Sequence, residues 1–351
     1  MSQFDTIGKS KQFYDFLKNE ILVGEYEPGD KFPSIRQLAE KYGISKITVN
    51  SVLSSLVTEG LLYVEQGRGT FVAEKRYNIR NSKRMIGVML FDFSLENNVE
   101  AAIFNSIQQN LKEDCFLIPY NSYNNTGNFY KGLKGFAELD VDGMILVPPT
   151  AEDYEAAVIK EILKREVPVV SINRRIPGIK ADFVYVDFEE VAYKAAKHLL
   201  DKGRTRIALF EHDSPSIGPR MVEGYKRAHC EKNVPVKEEL ALAWPGVLEQ
   251  AGTFVASLIR GIDGLIASDH LIYKHRKVIY ESGKRIPEDI SIVGINDTVY
   301  SRFMNPPLTA IPHPSAEIGS EALKLLMERI ENKRSDTLEK SFVTGLTVRS
   351  S

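Results

Sequence analysis

Between residues 85 and 310, short apolar runs alternate with helical stretches, and this alternation constrains the fold more than any other feature of the chain. The runs are 85–91, 115–119, 143–147, 167–172 and 183–186, then 206–210, 264–267 and 290–294. They are apolar on successive residues, the pattern of strands covered on both faces. Helical spacing falls between most of them, at 97–112, 152–165, 189–202, 218–231, 249–260 and 269–283. Such alternation builds parallel sheets with helices on both sides. About 260 residues exceed what one sheet needs, so two doubly wound α/β lobes are expected.

The first seventy-odd residues follow another pattern. Phe13, Phe16, Leu17 and Ile21 have helical spacing, and Glu27-Pro28-Gly29-Asp30 ends that helix in a turn. Ser34 and Gln37 have capping-box spacing for a second helix, whose buried face would be Ile35, Leu38, Ala39 and Tyr42 before Gly43 stops it. Ser45 caps a third, with Val49, Val52, Leu53 and Leu56 inward and Lys46, Ile47, Asn50, Ser51 and Ser54 outward. Leu62–Glu65 and Thr70–Ala73 flank Gln66-Gly67-Arg68-Gly69, a hairpin signal. Helix, helix–turn–helix, hairpin is the order of a winged helix-turn-helix, placed at 1–74. A basic linker follows at 75–84, with Lys75, Arg76, Arg80, Lys83 and Arg84 and no acid.

Composition excludes several classes. A hydrophobic share of 43% and a charged share of 26% are those of a globular chain. The net charge of −2 means that any nucleic-acid surface must be local. No apolar stretch is long enough to span a membrane, the first residues lack a signal-peptide core, and Cys115 and Cys230 stand far apart, so a cytoplasmic protein with two free thiols is expected. The histidines have no metal spacing, and Gly8-Lys9-Ser10 lacks the earlier glycine and the strand of a phosphate loop. No metal, cofactor or catalytic constellation is expected, and the chain reads as a binding protein rather than an enzyme. An enzyme would need an acid/base pair that Asp92, Asp269 or Asp297 would have to supply.

Two resemblances cover the chain. Pro28 to Ala39, Gly43-Ile44-Ser45-Lys46-Ile47-Thr48-Val49, Glu59-Gly60-Leu61-Leu62 and Gln66 to Val72 resemble the GntR-type winged helix. Ile86-Gly87-Val88, Val141 to Ile145, Val167 to Val170, Gly203 to Ala208, Arg220 with Gly224-Tyr225, Ile286 to Gly294 and Pro306 to Thr309 resemble the effector domain of the lactose/galactose repressor family. A GntR head on that body is similar to the AraR-type arabinose repressors. The resemblance implies a homodimer on palindromic operator DNA, controlled by a small molecule bound between the lobes. It places lobe one at about 85–187 and 315–332 and lobe two at about 188–314 and 333–351, with the final strand in lobe two.

The recognition helix would present Ser45, Lys46, Ile47, Thr48 and Asn50 to base edges, where lysine suits guanine and asparagine suits adenine. Arg36 has reach to the backbone or a guanine, and Gly67, Arg68 and Gly69 form a wing tip that offers arginine to the minor groove. The family usually has arginine where Lys46 and Asn50 stand. Ligands of doubly wound sheets sit beyond the carboxyl ends of the strands. There the chain has Phe91 and Asp92, Asn121 to Tyr123, Asn173 and Arg174, Glu211 to Asp213, Ser268 and Asp269, and Asn296 and Asp297, mostly polar as sugar hydroxyls require. The resemblance places ligand contacts at Asn173, Arg220, Ser268 and Asn296 and a stacking ring at Trp244. A sugar that releases DNA is the leading expectation; a nucleobase or nucleoside, or a co-repressor, is the alternative.

Overall fold

The structure is a computed structural model and describes residues 9–23, 25–73, 83–92, 98–163, 166–211, 214–243, 256–331 and 333–351. The chain divides into two compact units, Met1–Arg84 and Met85–Ser351. Trp244, residues 212–213 and residues 75–82 of the expected linker lie outside the described residues.

In the first unit, α1 (Lys9–Val23), α2 (Ile35–Tyr42) and α3 (Lys46–Thr58) precede the hairpin β1 (Leu62–Glu65) and β2 (Gly69–Val72). The capping box at α2 is formed: Ser34 Oγ accepts from the Gln37 amide and Gln37 Oε1 accepts from the Ser34 amide. Gly43 ends α2 at φ 64°, a left-handed value that glycine adopts without strain. Phe13 and Leu17 of α1, Leu38 of α2 and Val49, Val52 and Leu56 of α3 share one core with Leu62 and Val72 of the hairpin. Segment 29–32 ties down β2: Phe32 N donates to Thr70 O at 2.8 Å, and Val72 N to Asp30 O at 2.9 Å.

In the second unit the first lobe consists of β3 (Arg84–Leu90), α4 (Asn98–Gln109), β4 (Cys115–Asn121), α5 (Thr126–Glu138), β5 (Gly143–Leu146), α6 (Ala156–Ile162), β6 (Val169–Ile172) and β7 (Ala181–Val186). The second consists of α7 (Phe188–Asp201), β8 (Ile207–Glu211), α8 (Gly218–Glu231), β9 (Ala241–Ala243), β10 (Gly264–Ser268), α9 (Asp269–Lys274), α10 (Arg276–Glu281), β11 (Ser291–Asn296), α11 (Val299–Phe303) and β12 (Thr309–Pro312). The chain then returns through α12 (Ser315–Ile330) and β13 (Glu339–Phe342). Among the described residues the sheets have orders β13-β7-β6-β5-β3-β4 and β12-β11-β10-β8-β9, and every neighbouring pair of the second is parallel.

The final strand departs from expectation. Residues 333–351 were expected in lobe two, but β13 pairs parallel with β7 of the first sheet, Glu339 opposite Phe183 and Phe342 opposite Val186. The reason is local: Asp182, fully buried, takes two hydrogen bonds from Arg334, at 2.9 and 2.6 Å, and a third from the Leu338 amide at 2.7 Å. Those contacts dock the segment on β7. Only the tail crosses to lobe two, where Thr347 bridges Ala310 and Ser351 Oγ accepts from Thr309 N at 2.7 Å. Three passages therefore join the lobes, at Asp187, at His313–Pro314 and beyond Phe342. They are tied together: Asp187 N donates to Phe342 O at 2.9 Å, and Thr344 Oγ1 donates to Pro312 O. Three passages of backbone, tied to one another, thus join the two lobes.

Candidate nucleic-acid interface and effector cleft

The exposed side of α3 sorts its residues by task. Ser45 Oγ accepts from the Thr48 amide at 3.2 Å and lies 2.8 Å from Thr48 Oγ1, so both hydroxyls serve the cap. Lys46, Ile47, Asn50, Ser51 and Ser54 are left fully on the outside. The helix carries no acid, and the unpaired amides of its first turn add partial positive charge, which suits a phosphate-lined groove. Arg36 pairs with Glu40 at 2.9 Å in an exposed contact of little energy, so it can be redirected. At the wing, Gly67 and Gly69 have φ 80° and 126°, values that favour glycine, and the turn presents Arg68 between them. Arg68 pairs with Glu65 and lies 5.9 Å over the Phe71 ring, which itself stacks on Tyr63.

The strand ends of the second unit gather most of the expected ligand residues, with different tasks. In lobe one, Arg174 is buried; it donates to Pro148 O at 2.9 Å and lies 4.9 Å over the Phe91 ring. Asn173, at φ 62°, accepts from Val186 N at 2.9 Å and so braces the end of β7. Asp92 is half-buried beside Phe91. In lobe two, Arg220 of α8 reaches across to Asp187 at 3.2 Å and lies 5.5 Å over the Tyr185 ring, so it touches the end of the first sheet while remaining half exposed. Ser268 caps α9, and Asn296 ends β11 in the left-handed region at φ 95°.

Asp269 does not serve as expected. It is fully buried, and its carboxylate accepts from Thr298 N, Thr298 Oγ1 at 2.8 Å, Ser301 Oγ at 3.0 Å and His270 N at 2.8 Å. Burial nevertheless raises its pKa, and those hydrogen bonds oppose the rise. Its task is to fold the loop after β11. Asp297 is likewise held by both guanidinium nitrogens of Arg349, at 2.7 and 2.8 Å. Two of the three acids that could supply an acid/base pair are thus spent on structure.

Sequence reasoning missed three residues here. Glu100 is buried beside Phe91, whose amide donates to it at 2.6 Å, and burial pushes its carboxyl up to about 7 against the pull of that bond and of Arg174. It stands on the inward stripe with Ile103 and Ile107, and an acid at that spacing was the available signal. Glu152, at φ 52°, accepts from Ser216 N at 3.1 Å, from Ser216 Oγ at 2.7 Å and from Ser214 Oγ, and so bridges the lobes. Asp187 caps α7 and holds Arg220; its spacing to Glu190 was a legible helix start.

Comparison with known proteins agrees with this build. The family model "Bacterial regulatory proteins, gntR family" matches residues 9–72, and the model "Periplasmic binding protein-like domain" matches 196–351. The arabinose metabolism transcriptional repressor of Geobacillus stearothermophilus is 27% identical over 344 residues, 95% of this chain and 94% of its own. Its counterpart from Halalkalibacterium halodurans is 29% identical over 334 residues, 91% and 88%. The HTH-type transcriptional repressor PurR of Aliivibrio fischeri is 28% identical over 250 residues, 66% and 71%. Among solved structures, a LacI family transcriptional regulator from Enterococcus faecium with bound ribose superposes with TM-score 0.64 at 26% identity, over 76% of this chain and 98% of that one. The chain is a DNA-binding transcriptional regulator that joins a GntR-type winged-helix head to a periplasmic-binding-protein-like effector domain.

Proposed function

We propose that the protein is a cytoplasmic, homodimeric repressor of carbohydrate-utilisation genes, released from its palindromic operator by a small sugar. The observation that carries the reading is Arg220, a half-exposed cation of lobe two that meets Asp187 where lobe one ends. A hydroxylated ligand at that mouth gains donors from Arg220 and acceptors from Asp187, and where it also reaches the strand ends of lobe one it touches both lobes only when they close. Such a ligand binds the two lobe arrangements unequally, as any ligand that shifts a conformational equilibrium must. Asp92, Asn173 and Arg174 follow strands of the first sheet, and Ser268 and Asn296 end strands of the second. The first lobe follows the head in the chain, so lobe rotation would alter the spacing of two heads in a dimer, and half-sites one helical turn apart are sensitive to that spacing. The names of the relatives make arabinose the first sugar to test. Thermal melting of the full-length protein with arabinose, ribose, cellobiose and nucleosides checks the reading. A true effector at 100 times its Kd adds about 2.7 kcal/mol of stability. Stabilisation by a nucleoside and by no sugar would replace the sugar reading.

A further inference from the structure

Ile47 is 84% exposed at the second position of α3, between Lys46 and the cap residue Thr48. The core of the head does not use it: Val49, Val52, Leu53 and Leu56 fill the inner face. Ile47, Asn50, Ser51 and Ser54 follow at helical spacing, so Ile47 is the apolar member of an otherwise polar outer face. Resting on the reading of this face as DNA-binding, the chemistry of base edges decides what Ile47 can accept. In the major groove the thymine C5 methyl is the one apolar group; the other edges present donors and acceptors that a hydrocarbon would leave unpaired. A β-branched side chain has little χ1 freedom on a helix, so Ile47 loses little entropy when it docks. Three residues rise about 4.5 Å along the helix, against about 3.4 Å per base step, so Ile47 and Asn50 address bases about one step apart.

We infer that Ile47 is a specificity-determining residue that selects a thymine by its C5 methyl, about one base step from an adenine paired by Asn50.

The test uses the full-length protein. A duplex is selected from a random-sequence pool, and each thymine is then replaced singly by deoxyuridine, which removes the methyl and leaves every hydrogen-bonding group in place. The expected result is a position in each half-site, about one step from an adenine, where uracil weakens wild-type binding about fourfold. Ile47→Ala binds the thymine and uracil duplexes equally, with an unchanged melting temperature because the side chain is exposed. Uracil that is neutral everywhere, or that weakens both proteins alike, overturns the assignment while DNA binding stands. A pool that yields no enriched duplex overturns DNA reading and the assignment together.

Discussion

Gly224→Ala tests whether the packing that positions Arg220 is as tight as the structure shows. Helices α7 and α8 pack together, and a Cβ on Gly224 would lie 1.9 Å from Glu189 O and 3.0 Å from Tyr193 N. A carbon–oxygen contact relaxes at about 3.3 Å, so the helices must separate by more than about 1 Å. Both obstructing atoms are backbone, so no side chain can turn aside. Helix propensity acts in the opposite sense, since alanine is about 1 kcal/mol better than glycine inside a helix. Overpacking typically costs about 1–3 kcal/mol, and this contact is at the severe end. The expected net loss is about 2 kcal/mol, a drop of roughly 4–8 °C in the melting temperature of the effector domain. Arg220 lies one turn away on the same helix, so affinity for the stabilising sugar should fall with it. Thermal melting followed by circular dichroism, with and without that sugar, gives both quantities. A variant as stable as the parent, or more stable, would show that propensity decides and that the helices do not meet at Gly224.

Three further outcomes are expected. Asp182→Asn breaks the buried pair with Arg334 and should cost about 3–5 kcal/mol in urea unfolding, because β13 loses its anchor. Burial lowers the His313 imidazole to about 4, from an ordinary value of 6.5. The unfolded chain therefore binds the extra proton between pH 6.5 and about 4, and stability falls as pH drops through that window, by roughly 1.4 kcal/mol per unit. His198, His229 and His275 are also lowered by burial and add to the fall; His313→Asn should flatten part of it in melts at pH 7, 5.5 and 4.5. Arg220→Ala should keep the fold, since the side chain is half exposed, yet abolish the melting shift produced by the stabilising sugar.

Legibility in the sequence followed burial. The head was readable nearly residue by residue, because Ser34, Gly43, Ser45 and the glycine wing act on their immediate neighbours. Central strands such as β5, β6, β10 and β11 were readable as continuous apolar runs, being covered on both faces. Edge strands were less so: β4 was read at 115–119, but β9 and β12 were not. Glu339-Lys340-Ser341-Phe342 is almost wholly exposed and has no apolar signature, so its sheet is set by the distant Arg334–Asp182 pair. Helix α5 was hidden by Gly127, Gly132 and Gly135, which lower helix propensity, although Phe129, Gly132, Leu133 and Phe136 form a proper buried stripe. In the cleft, residue types at strand ends were legible, but partners were not. Asp269 reads like a ligand contact until Thr298 and Ser301 are seen to occupy it.

The central claim, that a sugar releases the protein from DNA through a shared conformational equilibrium, is tested most directly by titrating the sugar that stabilises the protein in the melting screen against the free protein and against its complex with the selected operator duplex. The stabilising sugar should lower operator affinity, with a coupling on the order of 1–3 kcal/mol, and the operator should weaken sugar binding by the same factor. Equal sugar affinity in the two titrations would contradict the claim, and tighter binding on the complex would make the sugar a co-repressor.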